Sequence, residues 1–464
     1  MTAYRLESWK PEFLPASKPF CTRKDAITMR RMLTTCLVSF CLMAAPLSAI
    51  AFDTNADARA FLNTVGSLSE FGSSEQERLL NLRVQDRIEN DDLQQIVEAA
   101  SIVGTLQSLT ISNGQDITDI SPLRETKLTS LTLAGVFLLN DLSPLSELPL
   151  ERLRLELDPG LNYNTQDGQL PIGPADLSAL SLLELRSLSL RGLSGVTNLN
   201  ALSKMQLESV GLEEMYNLTD VSALKGMPLR GVTLRRMPID DLSFLADAPL
   251  ENLDLSEVSI RDLAPLSGKM LAEVRLVDLP FVGALEPLRN QPIKHLRLQA
   301  LPAVADLSPL SELPLEGISL SILPAVTELP SLDKSQLTTV ALADLPQITS
   351  FRQVFSPTLS EVSLASLPGL TTLDGLQGAP IKRFSMSGCD AVTSLEPLSG
   401  APIQWADLSH SSGITDVTPL ATAPLRDLNL SGTLGVLTLS PLQGKQLRLT
   451  THNRALFNQL LELG

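Results

Sequence analysis

From Leu106 onward the apolar residues fall into one figure, L-x-x-L-x-L, that returns every 21 or 22 residues as far as Leu447. Sixteen copies can be aligned, headed among others by Leu128, Leu207, Leu271, Ile293, Leu315, Leu359, Ile403 and Leu425. The step from Leu150 to Leu185 is 35 residues, one repeat plus an insertion of 13. Within each L-x-L the leucines point to one side and the intervening residues to the other, which predicts a short strand with one buried and one outward face. A second element follows, of the form D-L-S-P-L. Its Ser reads as a cap and its Pro as a first helical residue, so a short helical turn is expected there. Prolines such as Pro149, Pro228, Pro314 and Pro402 then return the chain, extended, to the next strand. One unit of this size cannot bury its own leucines. Stacked units bury them in a continuous column between strand and helical turn.

This arrangement resembles the leucine-rich repeat family, in its short 22-residue class found in internalin-type bacterial proteins. The resemblance spans residues 106–450 and implies an α/β repeat solenoid: an arc with short parallel strands on its concave face and short helical turns on its convex face. It implies little about function, because sites are grafted onto folds. One departure from the family pattern stands out. The ninth position of the usual repeat is Asn, whose amide bonds the loop backbone. Here it is Leu193, Met215, Met237, Leu279, Leu301, Leu323, Leu345, Leu367 and Cys389. Such residues are expected to pack inward, leaving the loop's peptide groups to water or to neighbouring turns.

A repeat array needs covered ends. Residues 52–105 read as a helical N-terminal cap with one atypical repeat: 53–77 as helical and polar, Leu79 to Val84 as an early strand, and 91–100 as an amphipathic helix with acidic residues at its start. Residues 451–464 read as a C-terminal cap helix. The insertion near 158–173 is rich in Gly, Pro, Asn and Asp and reads as a surface loop. Its Asn162, Asn164 and Asp167 are off by one from a calcium-loop spacing and lack the closing Glu. Before the array, residues 1–51 read as an upstream extension and a signal peptide. Arg30 and Arg31 precede an apolar run from Met32 to Ala51, which ends in the small-residue triplet Ala49-Ile50-Ala51. Met29 is the expected start and a residue near Phe52 the expected mature N-terminus. The expected location is therefore outside the cytoplasm, periplasmic or secreted, with no membrane span left after cleavage.

Composition narrows the function. The whole chain carries a net charge of −16, and removing residues 1–51 brings it to about −20. That disfavours nucleic acid as a partner, since nucleic-acid binding needs a basic footprint. Only three His and four Cys are present. Three of the cysteines precede residue 52, so Cys389 alone remains, read as a small core residue. No cofactor, metal site or catalytic set is expected, and the chain reads as a non-catalytic module.

The candidate site lies on the outward strand positions. They carry Arg152, Arg154, Arg191, Arg235, Arg275, His295 and Arg297, then a stretch of Ser, Ala and Gly, then Arg383 and Trp405. Arginines on an otherwise acidic protein suit an anionic ligand group. An outward Trp suits an interface. The same charges could instead pair across adjacent strands. A protein is the favoured partner, and sixteen strands about 4.8 Å apart offer roughly 75 Å of surface for one. Glycan binding is the alternative, with Trp405 as its one good stacking residue. An unrecognised enzymatic activity on the repeat scaffold is a further one.

Overall fold

The computed structural model describes residues 52–72, 78–157, 173–354, 356–436 and 438–463. The signal-peptide reading on 1–51 and the loop residues Asn162, Asn164 and Asp167 fall outside them. The array is one sheet, and every head of the leucine figure opens onto a strand, from Thr105–Ile111 to Arg448–Thr450. Each strand pairs in parallel with the one a repeat before it. The register puts leucine on leucine: Leu276, Leu298 and Leu320 are successive partners, and all are buried. Residues on either side of each leucine face outward, as the period of two requires.

The opposite side of most units is a three-residue or five-residue 3-10 turn, as in Ser143–Leu145 and Ser308–Glu312, both with Pro in the first turn; the units that follow Gly317–Ser321 and Glu361–Ala365 have none. The Ser of S-P-L does not cap this turn, as the motif suggested. It is the first residue of the turn, and the Asp two positions earlier does the capping. Asp141 Oδ1 accepts the Ser143 N–H at 2.8 Å, and its Oδ2 accepts the Ser143 hydroxyl at 2.9 Å. The same pair of bonds recurs at Asp119, Asp176, Asp241 and Asp306. Donation from Ser holds the Asp141, Asp176, Asp220, Asp241 and Asp306 carboxyls below the usual carboxylate range, as donation from Thr418 does for Asp416. Asn198, Ser350 and Ser394 take the same place in other repeats and accept the N–H without a charge.

The apolar ninth residues are buried, from Leu193 through Leu367 to Cys389. Burial pushes the Cys389 thiol up. The loop backbone is satisfied without an Asn side chain by two devices. First, the eighth residue is held in the left-handed region, at φ 57° for Glu214, 51° for Arg236, 53° for Ala300 and 55° for Ile322. Its N–H then points along the stack and donates to the last strand carbonyl of the following repeat, as Ala300 does to Ser321 at 3.0 Å and Ile322 to Ala343 at 3.1 Å. Second, the ninth carbonyl accepts from the twelfth residue in a tight turn, as Leu301 does from Val304 at 3.2 Å. Pro302, Pro324, Pro346 and Pro368 sit where such a turn favours proline and contribute no N–H of their own. Towards the C-terminus the ninth residue becomes Ser411, then Thr433, both buried. Their hydroxyls donate to the Met386 and Leu408 carbonyls of the preceding repeat.

At the N-terminal end, helix α1 (Asn55–Val65) is followed by strand β1 (Gly66–Phe71), which runs antiparallel to β2 (Leu79–Val84). The helical reading of 53–77 is thus corrected: the helix ends at Val65, and the residues after it add a strand to the sheet. That strand alternates poorly in polarity and has no leucine figure, so its periodicity gave no signal. Helix α2 (Asn90–Val103) lies between β2 and the first full repeat, with a reciprocal capping box of Glu89 and Asp92. Helix α3 (Arg454–Leu463) closes the other end. No helix among the described residues is long and apolar enough to cross a membrane.

Candidate partner-binding face

Five-residue strands present three outward residues each, so the sheet face consists of three rows running along the stack. Arg152, His295, Arg383 and Trp405 belong to the first row, Arg154, Arg275 and Arg297 to the middle row, and Arg191 and Arg235 to the last. All nine candidates therefore share one face, but they do not share one environment.

Down the last row the sign of charge alternates from strand to strand, Glu156, Arg191, Glu213, Arg235, in register. The left-handed eighth residues continue the alternation beside it as Glu214, Arg236 and Glu257. The result is a lattice of ion pairs. Glu214, only 4% exposed in its side chain, receives Arg191 at 3.1 Å and Arg236 at 2.9 Å, and Arg236 also reaches Glu257 at 2.9 Å. Arg235 lies between Glu213, at 3.7 Å, and Asp254, to which it is hydrogen-bonded. The bond to Asp254, then its charge and that of Glu213, holds the Arg235 guanidinium above its usual range. Asp254 also accepts the Ser256 hydroxyl and has Arg275 at 3.6 Å, outside hydrogen-bond range. Arg154 is bonded to Glu156 of its own strand. Arg191, Arg235 and Arg154 are thus engaged within the molecule, the first two by charges that pair across strands and Arg154 within its own strand. A small hollow of about 280 Å³ lies among these groups.

Arg297 is different. It is exposed, donates one hydrogen bond to Gln299 at 2.6 Å, and has no ion pair among the described residues. Its register partners are Arg275 on one side and Ser319 on the other. His295, also exposed, stands two residues earlier, between Glu273 and Gly317. These residues border a larger hollow of about 700 Å³, whose floor includes Thr233, Gly317, Ser319 and Ala341. Arg152, exposed like Arg297, has a carboxylate only at 3.9 Å, on neighbouring Glu151. Trp405 is half-buried, with the Arg383 guanidinium 4.9 Å from its ring centre in the strand before it.

The strand ladder, the buried leucine column and the 3-10 turns on the opposite side define a leucine-rich-repeat solenoid. No family model matches the chain, and no curated protein matches it significantly. Among solved structures the chain is similar to an internalin, InlF, from Listeria monocytogenes, at 18% identity over 89% of this chain and 93% of that one, with a TM-score of 0.40. It is also similar to the functional domain of InlJ from the same organism, at 16% identity over 76% and 68%, with a TM-score of 0.39.

Proposed function

We propose that the protein is an exported, non-catalytic module that binds another protein through the outward face of its sheet. The observation that supports this reading most is the uneven use of charge on that face. One part is cross-linked internally, and the next leaves Arg297 and His295 beside an open hollow. A fold held together by leucine packing does not require those side chains, and an exposed guanidinium with unused donors suits a carboxylate brought by a partner. Export is supported by the leader pattern of Arg30 to Ala51. For the glycan alternative, Trp405 would supply the stacking surface, but Arg383 already lies over its ring.

A photo-crosslinking residue placed at Ser319 tests the reading in the native producer, with the same residue at Glu312 on the opposite side as control. A discrete protein adduct from Ser319 alone is expected. Adducts from Glu312 alone, or none from Ser319, would overturn it. Fractionation with an intact mass tests export: a chain beginning near Phe52 in periplasm or medium is expected, and an uncleaved cytoplasmic chain would refute it.

A further inference from the structure

Resting on that reading, we infer that the sheet face takes an extended acidic segment of a partner protein, held at two posts: Arg297 with His295 at one end, Arg383 with Trp405 at the other. Between the posts lie three strands, Gly317–Ser321, Thr339–Ala343 and Glu361–Ala365, and their middle and last rows are nearly bare. The middle row reads Ser319, Ala341, Ser363 and the last row Ser321, Ala343, Ala365, so no side chain there extends beyond a methyl or hydroxyl. Two rows of one strand are separated by about 7 Å, which admits an extended chain and is narrower than a helix of about 10–12 Å. The bare strip lets a partner backbone approach the sheet closely, with hydroxyls to meet its peptide groups.

The chemistry of the posts selects what the segment carries. Arg297 and Arg383 make no ion pair among the described residues, although Glu361 stands in register beside Arg383, in a chain where most arginines of the neighbouring lattice do. A guanidinium in this state presents a planar donor pair that a carboxylate fills with two hydrogen bonds. Arg275, beside Arg297, is ion-paired with Asp254 at 3.6 Å, which leaves Arg297 to meet a carboxylate at this end. Glu273 sits beside His295 in the first row, so an acid on the partner is best placed in the middle row, at Arg297. The posts are four strand steps apart, about 19 Å at about 4.8 Å per step. An extended chain covers that distance in about six residues. The expected segment thus has two carboxylates about six positions apart, with small or polar residues between them.

Selection from a random displayed library of 12-residue peptides against the full chain tests this directly. Enriched sequences should carry two Asp or Glu residues five to seven positions apart. Their synthetic versions should lose about tenfold or more in affinity on Arg297→Gln and again on Arg383→Gln, the size expected when charge-assisted bonds are removed. Ala341→Arg, which fills the strip, should abolish binding, and Lys204→Gln, an exposed turn residue outside the sheet, should leave it unchanged. Circular dichroism and melting of each variant verify that the fold is kept. Peptides blocked by Ala341→Arg but without the paired acids would overturn the acidic segment while leaving a sheet-face binder intact. Peptides indifferent to Ala341→Arg, or no enrichment, would overturn the segment; Ser319 crosslinks would then decide the wider reading separately.

Discussion

Replacing Leu301 by Asn, the residue the family pattern would put there, should weaken the protein substantially. Leu301 is fully buried. Losing its packing costs about 2–3 kcal/mol. The incoming amide would find few partners: the Ala300 N–H already bonds Ser321, the Val304 N–H already bonds Leu301, and Pro302 has none. Burying an amide without full hydrogen bonding costs about 1–3 kcal/mol more, so the expected total is about 3–6 kcal/mol. Leu301→Met, which keeps volume and polarity, should cost only about 1 kcal/mol. Because a long repeat array need not unfold in one step, the informative assay is hydrogen exchange of the flanking strands, His295–Gln299 and Gly317–Ser321. Their protection should fall at least about a hundredfold in the Asn variant. If the Asn variant were as protected as the Met variant, the loop donors would be in need of a side-chain acceptor, and the account of how this backbone is satisfied would be wrong.

Two further outcomes follow from the same structure. Asp141, Asp176, Asp220, Asp241, Asp306 and Asp416 have carboxyl groups held below their ordinary range, so the stability they contribute is present above the unfolded-state value of about 4 and is lost as pH falls through the lower, folded-state one. The urea midpoint should therefore drop below about pH 4, and Asp306→Asn should make that drop shallower; an unchanged acid limb would show that Asp306 adds nothing to it. Arg235→Glu would put a third carboxylate between Glu213 and Asp254. It should cost about 1–3 kcal/mol, relieved in part by salt, since the site is partly exposed; a melting temperature equal to the native one would mean the lattice contributes nothing.

The leucine figure made the sheet legible because burial acts on every copy alike: wherever L-x-L occurs, a strand must form to hide it. The caps of the 3-10 turns were half legible. Asp and Ser were both in the motif, but the roles depend on which side chain can reach back to an N–H two residues on, and Asp can. Strand β1 was hidden because its partner is antiparallel and its own polarity pattern is blurred. The division among the arginines lay in the sequence, unread along one chain. It emerges when residues one repeat apart are compared, since Arg191, Glu213 and Arg235 stand at the same position of successive units, alternating in sign. In the middle row there is no such alternation at Arg297, which has Arg275 on one side and Ser319 on the other.

The parallel ladder has a mechanical consequence. Among the described residues each strand is hydrogen-bonded only to the strands before and after it, and helices α1 and α3 lie at opposite ends of the stack. A force pulling the termini apart therefore acts across the ladder, loading one interface at a time instead of shearing many bonds together. Under tension the molecule should lengthen in even increments, one per repeat, each releasing about 22 residues or roughly 70 Å of chain. Single-molecule stretching would display this as a regular sawtooth, and a single large rupture would show that the units do not yield independently.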